Sequence, residues 1–377
     1  MKNMKSLASA LLTPAAMLVA FSVQSTLASE GVPPLATLPP PPIPADNPMT
    51  PEKVELGKQL FWDGRLSGNG TMGCVVCHQP ELGWGTGTPI SFGYPGTEHW
   101  RNSQTILNSA YYNKLFWEGN VTSLEAQAPP AAGGAVAGNG DGSMMEMKIR
   151  FVPEYVEAFR EVFGTDWPHV SQAWQAIAAF QRTIVTDPEK VPFDRFLAGD
   201  EDALSDAAKR GMALYNGKAG CIACHSGALA SDERYYNLGV PAAPEFSSDP
   251  LYQITLRWEL YQKGVPEEVY LAGSDDLGLY HKTKRPADKG KFRTPSLREL
   301  RRTEPYMHNG VFATLAEVVD FYDAGGGEGN TVLTPIGLTD EEKSDLLAFL
   351  EALSMDEPLL MEEPELPETA TWAEFPK

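Results

Sequence analysis

The stretches Cys74-Val75-Val76-Cys77-His78 and Cys221-Ile222-Ala223-Cys224-His225 decide how this sequence folds, because together they contain all four of its cysteines. This CxxCH pentad is the attachment signal of c-type haem, in which two thiols bond the vinyl groups of one porphyrin and the adjacent histidine coordinates its iron. A zinc site would need a second Cys/His pair at the usual spacing, and a dithiol redox pair would leave both histidines without a role. The sequence therefore predicts two covalent haem c groups.

The first 28 residues have the layout of a secretory signal. Lys2 and Lys5 make a charged start, an apolar run covers residues 7–23, and small residues end at Ala28. The alternative, a transmembrane anchor, needs about 20 unbroken apolar residues, and Thr13 with Pro14 interrupts this run. We expect a periplasmic protein that has no membrane association after the signal is cleaved.

The chain is strongly acidic. Its net charge is −20 over 377 residues, and loss of the two signal lysines makes the mature form more negative still. Nucleic acid and anionic membrane surfaces are poor partners for such a field, whereas a protein with a basic or neutral docking face is suited to it. The same charge also serves solubility, and the sequence leaves both interpretations open.

Composition divides the mature chain into four parts. Residues 29–49 form a Pro-rich linker that cannot be helical. We predict an N-terminal haem domain at residues 50–190 and a C-terminal haem domain at residues 191–355, since 42% apolar residues suffice for two modest cores. Residues 356–377 form an acidic, Pro-containing tail, which is expected to pack loosely or stay mobile.

Helix signals dominate both halves. Thr50 with Pro51 starts a helix before the first pentad, Ser205 starts another before the second, and the two pentads lie 147 residues apart. Amphipathic spacing predicts helices at residues 153–163, 171–183 and 315–322, and Thr339 with Glu342 forms a capping box before a further one. Strand alternation is scarce. The predicted fold class is mostly α, with two cytochrome c-like domains.

Several further motifs, in order along residues 47–353, resemble those of the di-haem cytochrome c peroxidases, and within them the MauG-like branch of MauG- and MbnH-type enzymes. Many independent matches in the right order are more specific than any one of them. The matching pieces are Arg101-Asn102, Leu115-Phe116-Trp117-Glu118-Gly119, Gln127 with a following proline and a Glu-Met step, Phe193-Asp194-Arg195-Phe196-Leu197, Phe292-Arg293-Thr294-Pro295-Ser296-Leu297 and Pro305-Tyr306-Met307-His308-Asn309-Gly310.

The resemblance implies that the haems are bridged at the domain interface, and that the N-terminal haem reacts with hydrogen peroxide while the C-terminal haem stores or relays electrons. His78 and His225 become the proximal ligands. Where ordinary members have a histidine that blocks the distal site until reduction, this sequence has Tyr94. The first haem is therefore expected to be open in the resting enzyme, with His99 as the alternative distal ligand.

The resemblance also implies an acid/base and a bridging aromatic residue. Gln127 matches the family's distal glutamine, and Glu146 best matches the catalytic glutamate, which would move a proton between the two peroxide oxygens. An Ala/Gly-rich insert at residues 131–142 lengthens the spacing, so Glu125 stays an alternative and a helix-start role for Glu146 stays open. Trp117 matches the tryptophan between the haems, although a core position would also explain it.

At the second haem, the resemblance places the sixth ligand seventeen residues after Pro305, at Tyr322. Ordinary members have methionine there. A tyrosinate oxygen stabilises ferric and higher oxidation states, and Met307 and His308 are competing ligands. The family's calcium site between the haems corresponds to the side-chain oxygen of Asn102 and two main-chain carbonyls, those of Thr303 and Pro305.

The resulting expectation is an enzyme that uses hydrogen peroxide to reach a bis-ferryl-type state and oxidises aromatic residues, tryptophan above all, on a partner protein. Lys218-Ala219-Gly220 stands where quinone-forming members have a surface tryptophan, and Trp258 is a candidate hop site. The alternatives are a conventional cytochrome c peroxidase fed by a small electron-donor protein, and a di-haem electron carrier. His169 and His281 have no assigned role and are interpreted as structural.

Overall fold

The computed structural model describes residues 31–94 and 96–371. The predicted secretory signal lies outside these residues. From Val32 onward the chain forms one compact unit. Within the described residues, no helix has the length and apolar character needed to cross a bilayer.

The described chain is mostly helical, as predicted, and its strands are four two-residue segments that pair as two small antiparallel ribbons. The strands are β1 Phe92–Gly93, β2 Thr97–Glu98, β3 Tyr235–Tyr236 and β4 Phe292–Arg293, with β1 beside β2 and β3 beside β4. The helices are α1 Pro51–Trp62, α2 Leu124–Gly133, α3 Gly142–Arg150, α4 Pro153–Phe163, α5 Val170–Gln181, α6 Pro192–Leu197, α7 Asp206–Asn216, α8 Glu245–Ser248, α9 Pro250–Gln262, α10 Glu267–Ala272, α11 Tyr280–Thr283, α12 Leu315–Asp323 and α13 Asp340–Glu351.

The helix starts predicted from capping residues are confirmed. The Thr50 side chain accepts from the Lys53 amide at the start of α1, and that of Ser205 accepts from the Ala208 amide at the start of α7. The capping box of Thr339 with Glu342 is formed at the start of α13. Side-chain caps satisfy amides that the first turn of a helix leaves unpaired, which is why these starts can be read from sequence.

The helix before each pentad is packed in the same way. Helix α1 crosses α5 at Gly57, where an added Cβ would collide with the Ala176 carbonyl, and α7 crosses α13 at Gly211, where it would collide with the Asp345 carbonyl. Glycine lets the two backbones of each pair approach closely. A single 3₁₀ turn, Cys74–Val76 or Cys221–Ala223, then begins each pentad.

One hydrophobic core draws residues from both predicted domains. Leu60 and Phe180 from the first half and Phe349 from the second are fully buried members of it. The domain boundary between residues 190 and 191 stays a prediction, since the shared core leaves no gap in packing there.

The two ends of the described chain are held by their main-chain carbonyls. The predicted linker contains no helix between residues 32 and 50, and the Pro39 carbonyl accepts from the Tyr111 hydroxyl at 2.7 Å. The tail is better anchored than expected, because the Leu359 carbonyl accepts from Trp84 Nε1 at 2.9 Å and the Pro367 carbonyl from Arg65 at 2.8 Å. Composition cannot reveal such contacts, which use backbone atoms that every residue has.

Candidate functional site

Both pentads face one large cavity of about 1040 Å³. Single small-ligand pockets span roughly 300–1,000 Å³, so this cavity is at or above the top of that range. None of the four cysteines forms a disulfide. The cavity wall includes every attachment and proximal residue predicted from the sequence: Cys74, Cys77, His78, Cys221, Cys224 and His225.

The two pentad histidines are oriented in the same way. His78 Nδ1 lies 3.1 Å from the Trp84 carbonyl, and His225 Nδ1 lies 3.3 Å from the Ala230 carbonyl. A proton donated from Nδ1 leaves Nε2 free for a metal. Burial lowers the pKa of His78 to about 4 and lowers the pKa of His225 as well. Both rings are therefore neutral near pH 7, which is the form that coordinates iron.

A hydrogen bond from α7 also holds the second pentad in place. The Tyr215 hydroxyl, buried in the core, donates to the His225 carbonyl. The donor set and the oriented rings fit c-type haem at both pentads.

Tyr322 lies in the last turn of α12 and lines the cavity together with the second pentad. Burial raises the pKa of its phenol, and the nearby Cys221 and Cys224 raise it further. Only a strong Lewis acid such as ferric iron would deprotonate it there. The competing ligands Met307 and His308 line the cavity too, so the assignment of Tyr322 stays a prediction.

Trp117 is buried in the cavity wall with 9% of its surface exposed. Its Nε1 donates to the Asn102 carbonyl at 3.0 Å, and its ring centroid lies 6.3 Å from that of His308. The His308 ring stacks on Phe292 at 3.7 Å, and its Nε2 has no hydrogen-bond partner among the described residues. The predicted bridging tryptophan thus belongs to a buried aromatic group in the wall of the cavity.

The structure separates the two residues predicted for peroxide chemistry. Gln127 lines the cavity from α2, whereas Glu146 on α3 does not. The Glu146 carboxylate pairs with Arg150 at 2.5 Å and accepts from the Val170 amide at 3.0 Å, at the start of α5. The carboxylate therefore lies at the start of α5. A helix-start role is the alternative left open from the sequence, and this position does not favour Glu146 as the acid/base.

The alternative glutamate is also away from the cavity. Glu125 accepts from Asn47 at 2.7 Å and pairs with Arg182 at 2.8 Å. Although burial raises its pKa, the hydrogen bonds from Arg182 and Asn47 lower the pKa of Glu125 overall. An ion-paired carboxylate of this kind holds the linker against α2 and α5 and has no access to the cavity wall.

Near the first pentad, the cavity wall contains His99 and does not contain Tyr94. The Tyr94 amide donates to the Ala137 carbonyl at 2.7 Å, which ties its loop to the Ala/Gly-rich insert. Burial lowers the pKa of His99 to about 4, and the neighbouring cations Arg101 and Lys263 lower it further. An open first haem stays a prediction, with His99 the histidine that the fold brings to this wall.

The three residues predicted to bind calcium lie in the wall of the same large cavity. Asn102, Thr303 and Pro305 all line the cavity, and the Asn102 amide donates to the His308 carbonyl at 2.9 Å. Asn102 Nδ2 donates to the Thr88 carbonyl at 2.9 Å, which leaves its side-chain oxygen for a cation. Hard oxygen donors of this kind suit calcium. The ion itself stays a prediction.

Sequence reasoning missed a buried ionic cluster in the same wall. Arg101 pairs with Glu118 and with Asp276, and His281 Nε2 lies 2.8 Å from Asp276 Oδ1. Burial raises the pKa of Asp276, but Arg101 outweighs it and keeps that pKa well below its ordinary range. Arg101 and Glu118 were visible in the motifs, but Asp276 follows Arg101 by 175 positions, and no local spacing connects them. His281 is buried beside Asp276, and its interpretation as structural stays a prediction.

Known proteins resemble this chain over nearly its whole length. The family described as di-haem cytochrome c peroxidase matches residues 51–202. The cytochrome-c peroxidase IdrP1 of Pseudomonas sp. (strain SCT) is 63% identical over 97% of each chain. The methylamine utilization protein MauG of Methylorubrum extorquens is 36% identical over 86% of this chain and 84% of that protein.

The chain belongs to the di-haem cytochrome c peroxidase family. The crystal structure of a MauG-like protein associated with microbial copper homeostasis superimposes on it with a TM-score of 0.70 and 32% identity, covering 85% of this chain and 94% of that one. The resemblance found from the motifs is therefore confirmed, and so is the expectation of an oxidoreductase with a di-haem peroxidase fold. Membership in this family implies two c-type haems and hydrogen peroxide as substrate.

Proposed function

We propose that this peroxidase reduces hydrogen peroxide to water in the periplasm with electrons from a partner protein. The observation that carries the proposal is that both haem pentads, Trp117 and Gln127 line one cavity. Relatives at 63% and 66% identity have the name cytochrome-c peroxidase, which supports peroxide reduction as the leading function. The conventional alternative therefore moves ahead of tryptophan oxidation.

The residues that would hold the two haems follow from the pentads. Cys74 and Cys77 would attach the first haem and His78 would coordinate it; Cys221, Cys224 and His225 would do the same for the second. When bound, these haems supply the iron that exchanges electrons with peroxide. They would lie in two cytochrome c-like domains, residues 50–190 and 191–355, after removal of a signal at residues 1–28.

Two polar and aromatic residues complete the proposed site. Gln127, on α2, is the side chain that would orient peroxide by a hydrogen bond. Trp117 would couple the haems electronically, because its buried ring is fixed through Nε1 by the Asn102 carbonyl. Asn102, Thr303 and Pro305 would hold calcium next to this tryptophan, so that the ion stabilises the loop that carries Asn102.

Tyr322 favours a second candidate function. A tyrosinate ligand would keep the second iron oxidised, and such an iron is suited to removing electrons from tryptophan on a partner protein. Similarity to a protein named MauG supports this candidate. Lys218-Ala219-Gly220 before the second pentad weighs against formation of a tryptophan-derived quinone, and leaves other oxidations of a partner tryptophan.

Spectroscopy of the resting ferric protein tests the ligand assignment. We expect one high-spin haem and one low-spin haem without the Met-to-iron absorption band. In the variant Tyr322→Met that band should appear and the second haem should become easier to reduce. An unchanged spectrum would show that residue 322 is not a ligand.

Reaction with peroxide tests the function. The ferric protein should consume peroxide without prior reduction if the first haem is open, and it should turn over continuously when a small one-electron reductant is added. To separate the two candidates, the protein encoded next to this one is incubated with enzyme and peroxide. Oxygen gained on its tryptophans, detected by mass spectrometry, would support the second candidate; continuous turnover without any such gain supports the first.

A further inference from the structure

Helix α9 turns an apolar face to solvent. Leu251, Ile254, Trp258 and Tyr261 follow the three- and four-residue spacing of one helix face, and their exposed fractions are 58%, 64%, 41% and 55%. Leu271 on α10 is 56% exposed. Contiguous exposed apolar surface on a soluble protein marks an interaction site more often than chance. We call the four exposed α9 residues the α9 face.

Aromatic rings lead from the α9 face toward the cavity. The Trp258 ring centroid lies 5.7 Å from that of Tyr261, which lies 5.9 Å from that of Tyr270. Tyr270 packs on a buried cluster that contains Trp100. Trp100 lines the cavity, so a short series of side chains joins the surface to the site.

Trp100 reaches the cavity on the side of the first pentad. It follows β2, which pairs with β1, and the Phe92 carbonyl of β1 lies 3.5 Å from the Cys77 sulfur. Val136, in the insert that lines the cavity, packs on the same cluster as Trp100. Electrons arriving at Trp100 would therefore enter next to the peroxide-reacting haem.

The charges around Trp100 permit its transient oxidation. The Arg101 guanidinium lies 3.8 Å and the Lys263 ammonium 5.2 Å from the ring centroid, and two cations alone would oppose removal of an electron. Glu118 and Asp276 both pair with Arg101, and Glu118 lies 3.7 Å from Lys263. These buried carboxylates compensate the two positive charges.

We propose that the α9 face is the docking surface of a basic one-electron redox protein, whose electrons pass through Trp258, Tyr261, Tyr270 and Trp100. The inference rests on the proposed function. Each peroxide that becomes two waters takes up two electrons and two protons, and two partner molecules are each oxidised by one electron.

The charged residues near the α9 face indicate which kind of partner would bind it. Glu267 and Glu268 are exposed at the start of α10, the next helix along the chain, and Asp249 caps α9. A partner with a ring of lysines around an apolar redox edge is complementary to this arrangement. A second copy of this chain is not, because each carries a net charge of −20 and like charges repel.

The kinetic test compares two donors for the holoenzyme: reduced mitochondrial cytochrome c, a basic one-electron protein, and a small ferrocene reductant that needs no docking surface. The measured quantity is the ratio of kcat/KM for the protein donor to that for the small one. In Trp258→Phe this ratio should fall about tenfold, as for a central interface aromatic. Trp167→Phe is the matched control, since Trp167 is also 41% exposed, and its ratio should equal that of the wild type.

Hydrogen exchange gives a readout that is independent of turnover. Cytochrome c should protect backbone amides in residues 250–272, and the variant with both Glu267→Lys and Glu268→Lys should lose this protection while keeping the wild-type haem spectrum. Protection that depends on the enzyme's own concentration instead of the donor's would identify a second copy as the occupant and overturn the proposal.

The outcomes separate the inference from the function on which it rests. If the wild type turns over with ferrocene but not with cytochrome c, or if both tryptophan variants behave alike, the docking surface is refuted and the peroxidase function stands. If neither donor supports peroxide reduction, the proposed function itself fails.

Discussion

Replacement of Glu146 by glutamine separates two accounts of the peroxide chemistry. Alignment of the Glu-Met step with the family motif makes Glu146 the acid/base, whereas the structure places its carboxylate between Arg150 and the Val170 amide, outside the cavity wall. Glutamine keeps the shape and one oxygen acceptor but cannot ionise. The substitution therefore removes proton transfer while disturbing local structure little.

The structural cost follows from the two contacts. An i,i+4 ion pair that is 22–23% exposed contributes roughly 0.3–0.5 kcal/mol. The hydrogen bond from the Val170 amide contributes about 1 kcal/mol, part of which the glutamine oxygen retains. We expect Glu146→Gln to lower the free energy of unfolding by about 1 kcal/mol in total, and to change the peroxide reaction by less than about twofold, because general acid/base loss would act only at the cavity.

Rapid mixing of the ferric holoprotein with peroxide measures the reaction rate, and urea unfolding measures stability. Gln127→Leu is the positive control, since it removes a polar group from the cavity wall at similar volume and should slow the reaction about tenfold, the loss of one orienting hydrogen bond. A loss on the order of 10²-fold or more in Glu146→Gln is the signature of a missing acid/base. That result would refute the reasoning and require α3 to approach the cavity in the working enzyme.

Two further predictions concern stability and pH. Asp194 and Arg298 form a bidentate ion pair with 1% exposure of each side chain, so Asp194→Asn should lower the free energy of urea unfolding by about 3 kcal/mol. The control is Asp356→Asn, in the exposed pair with Arg195, which should lower it by less than about 1 kcal/mol. Equal losses in the two variants would contradict this prediction. Burial raises the pKa of Asp275 from 3.8 to about 7, so the stability associated with its neutral form is complete below about pH 4 and is lost as the pH rises through 7. The difference in unfolding free energy between wild type and Asp275→Asn should therefore shift in favour of the variant between about pH 4 and pH 7, and a constant difference would contradict the assignment.

The sequence predicted those features that depend on neighbouring residues. The pentads, the caps at Thr50, Ser205 and Thr339, and the helices that follow them are all encoded within a few positions, and the structure has them where expected. Local hydrogen bonds and helical periodicity determine such elements with little help from the rest of the chain.

Features that depend on tertiary packing were harder to predict from the sequence. Glu146 was selected because its Glu-Met step follows Gln127, but Val136 and Ala137 in the insert line the cavity while Glu146 packs against the start of α5. An insertion changes which residue faces the cavity without changing the motif. The Arg101 to Asp276 pair likewise joins positions that only the complete fold brings together.

The proposed route through α9 would resolve a conflict between the ligand assignment and the leading function. A tyrosinate at residue 322 would make the second haem hard to reduce, which weighs against a peroxidase that must first load that haem with an electron. Trp100 reaches the cavity beside the β1–β2 ribbon and the first pentad. Electrons entering there would reach the peroxide-reacting haem without prior reduction of the second iron. A tyrosine-ligated haem and a donor-fed peroxidase are then compatible in one chain.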